Sequence, residues 1–344
     1  MKALVHTEPL KFEYTDVAEP QVGPDDVLVR IQACGICGSD VQGYTGQTGR
    51  RIPPIIMGHE AAGIVEAVGA NVKQFKPGDR VCFDSTVYCN TCEACRNGQV
   101  NHCVQRQVLG VSVPAFRRHG AMAELTAVPS WIVSRMPDTM TFLEASLLEP
   151  VSIGVHAVNR AAVKSSDTVV IIGAGPIGLF ILQAVRLRGA KWIIVSDLND
   201  ARLHTAMSLG ADVTVNPGRE DLDEIVRDIT DGRGADVVLE AVGFGKTVQQ
   251  AIQVVRVGGR VTLVGNLEKQ VGLDLQDVVS KELTLTGSYA SSGEYRECID
   301  LVASGLIDVK RIVSDVMPLS KGQEAFDRLF QGKEDLLKIV LEPG

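Results

Sequence analysis

The chain has 344 residues, room for about two domains, and its 45% hydrophobic and 22% charged content suits a globular protein with a full core. A net charge of −8 opposes a nucleic-acid binder, which needs a basic face. No apolar run approaches a membrane span, and the start "MKALVHTEPLKFEY" breaks too early for a secretory signal, so a cytoplasmic protein without membrane partner is expected.

Residues 1 to about 155 read as a β-rich block. "DVLVRIQACG", "AAGIVEAVG", "DRVCFD" and "MAELTAV" are short Val- and Ile-rich strands punctuated by Gly and Pro, with a turn at "KPGD". Two thiols, a hydroxyl, a carboxylate and an amide crowd into "CGICGSDVQ" at the end of the first of these strands. "MGHEAAG" follows about twenty residues later with His59 and Glu60. Cys37, His59 and Glu60 mix soft and hard ligands, and three protein ligands leave a position open on zinc, as a catalytic site requires. A zinc-ribbon half-site at Cys34 and Cys37 is the competing reading. Next comes "CNTCEACRNGQVNHC", which places Cys89, Cys92, Cys95 and Cys103 in a C-x2-C-x2-C-x7-C pattern. Four thiolates close a tetrahedral shell, which makes a structural zinc site; four reduced thiols are the alternative. His102 adjoins this group, but four thiolates already saturate the ion.

"EASLLEPVSIGVHAVNRA" (144–161) reads as helix, and strands and helices alternate after it. "TVVIIGAG", "WIIVSD", "VTVN", "ADVVLEAV", "RVTLVGN" and "ELTLTGSY" supply six apolar strands, the number in a complete doubly wound parallel sheet. The first leads into Gly173, Gly175 and Gly178 in G-x-G-x-x-G, opening the helix at Pro176 and Ile177. Asp197 ends the second strand, where a carboxylate accepts from ribose hydroxyls and repels a 2′-phosphate. The pattern predicts NAD rather than NADP, with Arg202, Val264 and Gly265 as further candidate contacts. "EYRECIDLVASG" is a helix and "LLKIVLEP" a last strand, in a tail expected to return to the first domain.

Together, "CGICGSD", "GHE", the four-cysteine lobe, "LLEPVSIGVHA" and "GAGPIG" resemble the zinc-dependent medium-chain dehydrogenases, especially the sorbitol/polyol and threonine dehydrogenase branch. The resemblance covers nearly the whole chain. It implies an α/β protein: a GroES-like β-rich catalytic domain, 1–155 with the tail 291–344, and a Rossmann NAD-binding domain, 156–290. It implies two zinc ions per chain and a homodimer or homotetramer acting on a small molecule. Cys37 and His59 become zinc ligands, and Glu60 a ligand or near-ligand. Glu149 faces the metal from the other side, and Ser39 hands on the substrate proton. Asp40 orients the ligand histidine, and Lys338 takes the place of a basic residue supporting that carboxylate. The implied reaction moves a hydride from a secondary alcohol, a polyol or sugar derivative with or without a phosphate, to NAD. A threonine-type amino-alcohol dehydrogenase and a non-catalytic NAD-binding redox sensor are the alternatives.

The sequence also departs from that branch. Gln42 stands where a histidine usually ends the proton relay, and "GSYASSGEY" carries Tyr289 but no arginine for substrate hydroxyls. Arg50–Arg51 and Arg117–Arg118 are candidates to hold a phosphate or carboxylate, against a plain reading as surface charge.

Overall fold

The computed structural model describes residues 1–344, and its chain divides into two compact units. One comprises Met1–Glu149, Ser292–Ser304 and Val309–Gly344; the other comprises Pro150–Ser291 and Gly305–Asp308. The division falls at Glu149 and Pro150, inside the helix Leu148–Ala161, rather than after residue 155. No helix is long and apolar enough to cross a membrane.

In the first unit the Val- and Ile-rich runs form a sheet around the strand Asp26–Gly35. Antiparallel neighbours of that strand are Glu60–Val68, Leu125–Pro129 and Lys338–Glu342. The C-terminal strand therefore adds to the N-terminal sheet, and Val313–Pro318 pairs parallel outside it. Register matters for the chemistry. Gly35 lies opposite Glu60 on one side and Val340 on the other, so Glu60 and Lys338 flank one glycine. A Cβ at Gly35 would sit 2.3 Å from Glu60 Oε2, which leaves only glycine there. The hairpin Lys2–Glu8 and Lys11–Asp16 and the helix Gly322–Gln331 belong to the same unit. Phe12, Tyr44 and Phe326 join them in an aromatic cluster, with Phe12 and Phe326 centroids 4.4 Å apart.

The second unit is a six-stranded parallel sheet. Its spatial order is Val213–Val215, Trp192–Ser196, Thr168–Ile172, Ala235–Glu240, Val255–Leu263, Thr284–Gly287. Numbered along the chain this is 3-2-1-4-5-6, the doubly wound dinucleotide-binding order. Thr168–Ile172 is central and buried throughout, which explains its unbroken apolar run. The stretch expected as one helix at 144–161 is two, Phe142–Ser146 and Leu148–Ala161, parted at Leu147.

Candidate metal centres and dinucleotide site

The strand Asp26–Gly35 delivers Cys37 to the start of a short helix, Gly38–Tyr44. Cys37 precedes its first turn, and the Cys37 N–H donates to Asp40 Oδ2 at 3.4 Å. Glu60 opens the strand Glu60–Val68, with His59 just before it. Gly58 makes this approach possible: its φ is +96°, and a Cβ there would meet Cys34 Sγ at 2.7 Å. Ligand atoms of Cys37, His59 and Glu60 come within 4.8 Å of one another. The structure thus favours Cys37–His59–Glu60 over a Cys34–Cys37 half-site. Cys34 is fully buried, and burial holds its thiol well above its ordinary range.

Two acids at this site, Asp40 beside the trio and Glu60 within it, carry their own cations. Asp40 is wholly buried. Its Oδ1 accepts from Arg51 Nη2 at 2.8 Å and Nε at 3.2 Å, and its Oδ2 lies 3.5 Å from His59 Nδ1. Burial would raise the Asp40 pKa, but the His59 and Arg51 charges overcome it and hold the carboxyl below the usual range. Lys338 Nζ donates to Glu60 Oε2 at 2.7 Å and Oε1 at 2.8 Å, and to the Ile36 carbonyl at 2.9 Å. This corrects the expected partner of Lys338: the lysine braces Glu60, and Arg51 braces Asp40. The reason is register, since the strand Lys338–Glu342 runs beside Gly35 opposite Glu60. Arg51, only 5% exposed, is therefore a bound internal cation rather than half of an open phosphate cradle. Arg117 Nη1 is likewise turned onto the Pro54 carbonyl.

Ser39 is exposed; its hydroxyl donates to Cys37 Sγ at 3.3 Å and accepts from Arg51 Nη2 at 3.3 Å. Glu149 is buried and accepts from Ser85 Oγ at 2.7 Å. Burial pushes it up to about 7, with the Glu60 charge adding to the rise and His59 opposing it. It stands outside the close trio but within reach of its charges. Sequence reasoning missed Arg51 as an internal cation and Ser85 as the Glu149 donor: the burial of Arg51 depends on how Gly43 and Asp40 pack against it, and Ser85 lies 64 residues from Glu149.

Cys89, Cys92, Cys95 and Cys103 bring four sulfurs within 4.8 Å of one another. Backbone N–H groups already point at two of them: Cys92 N–H donates to Cys89 Sγ and Cys89 N–H to Cys103 Sγ, each at 3.3 Å. The Thr91 hydroxyl and backbone hydrogen bonds draw the Cys89 thiol down to about 5, favouring the thiolate a metal needs. His102 is exposed and outside the group. The donor chemistry fits a closed four-sulfur metal shell, and the Cys37 trio fits an open one.

In the second unit the glycine loop is shaped for close approach. Gly173 has φ +102°, and a Cβ on Gly178 would fall 1.8 Å from the Gly173 carbonyl oxygen. A Cβ on Gly175 would meet nothing within 4 Å, which leaves space for a ligand backbone. The helix Pro176–Leu187 starts there without a side-chain cap, so its first N–H groups are open to a phosphate. Asp197 Oδ2 accepts from Ala174 N–H at 2.7 Å and Oδ1 from Asn199 N–H at 2.8 Å, joining the loop to the end of the second strand. Arg202 starts the next helix through its N–H to Asn199 Oδ1. Val264 and Gly265 donate N–H to the Glu240 carbonyl at the carboxyl ends of the strands. Glu240, unmarked by any motif, is fully buried and accepts from Val242 N–H, Gly243 N–H and the Thr247 hydroxyl. These residues fit a dinucleotide.

Comparison with known proteins identifies the family. Residues 23–138 match the alcohol dehydrogenase GroES-like domain, and 176–304 match the zinc-binding dehydrogenase domain. A sorbitol dehydrogenase of Bacillus subtilis (strain 168) is 37% identical, covering 100% of this chain and 98% of the relative. An L-idonate 5-dehydrogenase of Vitis vinifera is 38% identical over 91% of this chain and 87% of its own. The solved alcohol dehydrogenase TADH from Thermus sp. ATN1 superposes with a TM-score of 0.93 at 32% identity, covering 99% of each chain. The chain belongs to the zinc-binding dehydrogenase family, oxidoreductases of the alcohol and polyol type that use a nicotinamide dinucleotide.

Proposed function

We propose that this protein oxidises a secondary hydroxyl of a polyol or sugar derivative with NAD as hydride acceptor, using two zinc ions. The observation that carries the reading is the Cys37–His59–Glu60 trio with the exposed Ser39 hydroxyl beside its sulfur. Cys37 and His59 would hold the catalytic ion, with Glu60 and Glu149 as carboxylates beside it. Cys89, Cys92, Cys95 and Cys103 would hold the structural one. Bound zinc supplies Lewis acidity that acidifies an alcohol, and bound NAD supplies the hydride acceptor. The chain's residues do the rest. Ser39 relays the substrate hydroxyl proton, accepting it at Oγ as its own hydrogen passes to solvent at its exposed face, and Asp40 holds the His59 ring in place. Gly173, Gly175 and Gly178 let the backbone meet the pyrophosphate, and Asp197 selects a free ribose.

The sorbitol and idonate relatives support a polyol or sugar-acid substrate. A homo-oligomer is proposed because Thr284–Gly287 is an open sheet edge with Val257, Leu275 and Val279 each about two-thirds exposed around it. A second copy of this chain is the proposed cover. All eight cysteines are unpaired thiols, in keeping with a reducing cytoplasm. The test is NADH absorbance with the zinc-loaded protein and sorbitol, xylitol, galactitol, L-idonate, a polyol phosphate and L-threonine. Turnover of a polyol or sugar acid is expected. Turnover of L-threonine alone would favour an amino-alcohol dehydrogenase. NAD binding without turnover of any secondary alcohol would favour a sensor.

A further inference from the structure

We propose that Arg51 is a positioning residue for the reaction: its guanidinium holds the Ser39 hydroxyl and the Asp40 carboxylate as one rigid unit. The inference rests on the reading of Ser39 as the hydroxyl that hands on the substrate proton. Its starting point is a gap in the sequence, since Gln42 has no titratable group to finish or fix a relay.

The geometry assigns the orienting role to the buried arginine. Nη2 meets both Asp40 Oδ1, at 2.8 Å, and Ser39 Oγ, at 3.3 Å. Nε adds a second bond to Asp40 Oδ1, and Nη1 donates to the Arg50 carbonyl at 3.1 Å. A guanidinium only donates, so Ser39 Oγ must accept from it. The hydroxyl hydrogen is then turned away from Arg51, and in this structure it points to Cys37 Sγ. One lone pair of Oγ is thereby fixed, and the other remains for a substrate hydroxyl. Arg51 neither gives nor takes a proton. It restricts a side chain that is otherwise an exposed, freely rotating serine.

Two features show that the fold is arranged around this side chain. A Cβ on Gly43 would lie 2.2 Å from Arg51 Cγ, so the glycine in the Ser39 helix makes the passage for the arginine stem. The backbone around Arg51 is also anchored: Ser112 N–H donates to the Arg50 carbonyl at 3.2 Å, and Ile52 N–H to the Ser112 carbonyl at 3.3 Å. A lysine at 51 would keep a positive charge near Asp40 but could not present the planar fork that spans two partners.

The test is a double-mutant cycle of Arg51→Lys and Ser39→Ala in the zinc-loaded holoenzyme, with the fastest substrate of the screen. Arg51→Lys is expected to keep both zinc ions and its NAD affinity, while kcat falls about 10- to 100-fold with little change in KM. In the Ser39→Ala background the same substitution should change kcat less than about 3-fold, because the group it positions is gone. Gly43→Ala displaces the arginine stem with every charge retained, and should lower kcat in the same manner, so the test survives poor folding of Arg51→Lys. Equal losses from Arg51→Lys in both backgrounds would overturn the inference. So would loss of zinc in proportion to activity, or a Gly43→Ala enzyme with native kcat beside a native Arg51→Lys. A fully active Ser39→Ala would instead remove the Ser39 reading itself, and this inference with it.

Discussion

Lys338 is the residue whose removal should be felt most widely. Its ammonium is 2% exposed and lies on both oxygens of Glu60, itself 0% exposed. Burial alone would lower the Lys338 pKa, but the Glu60 charge, followed by Cys37, more than restores it, so the lysine stays charged. Lys338→Met keeps the volume and removes the charge. Breaking such a buried pair from one side costs about 3–5 kcal/mol, since the remaining carboxylate stays desolvated. For a unit of roughly 200 residues that corresponds to a fall in Tm of about 6–20 °C. Calorimetry of the chelated and zinc-loaded protein reads it. The loaded protein should lose less, because a divalent ion offers Glu60 another positive partner. The double variant Lys338→Met with Glu60→Gln should recover most of the loss, since no charge is left uncompensated. A Lys338→Met Tm within about 1 °C of native, or a double variant that loses the sum of both singles, would refute the reasoning.

Cys95→Ser should remove one zinc per chain and lower Tm, while a chelator should strip the Cys37 ion of the native protein before the closed four-sulfur one; metal analysis over time checks both. Asp197→Ser should narrow an NAD preference over NADP of about 10-fold or more, read as the ratio of kcat/KM values. Burial holds the His6 imidazole below its ordinary 6.5, so the unfolded chain binds a proton that the folded one refuses. Its contribution to stability is complete above about pH 6.5 and declines below it, and His6→Gln should show a smaller drop in urea midpoint between pH 7.5 and 5.

How far the sequence revealed the protein varied with the range of the contacts involved. The six parallel strands, the glycine loop and the cysteine lobe were legible because each is local: an apolar run, a turn or a ligand spacing. The return of Lys338–Glu342 to the first sheet was expected from resemblance, and the strand Val313–Pro318 beside it was not, having no marked alternation in "VSDVMP". Partner choice was least legible. Lys338 pairs with Glu60 across 278 residues, a fact set by two strand registers meeting at Gly35. The doubled arginine "RR" reads as surface charge, yet Arg51 is buried because Gly43, eight residues earlier, opens a passage for it.

The same pairings set the charge carried by the site. Four acidic groups gather at the site: Cys37, Asp40, Glu60 and Glu149. Arg51 answers Asp40 and Lys338 answers Glu60. A divalent ion would match the charge of Cys37 as thiolate, and Glu149, buried beside Ser85, adds a carboxylate to the same site. Burial pushes Glu149 up to about 7; of the charges around it, His59 opposes that rise and Glu60 adds to it. Glu149→Gln preserves shape and the Ser85 contact while deleting the carboxylate charge. Zinc affinity at this site should then fall about 10- to 100-fold, the loss usual for a supporting carboxylate of a metal centre. Competition with a chromophoric chelator measures it, and the four-sulfur site of the same variant serves as internal standard. If Glu149→Gln binds the Cys37 ion as tightly as the native protein, Glu149 does not belong to the charge set of the metal, and its conjunction with His59 and Glu60 must be assigned to substrate contact instead.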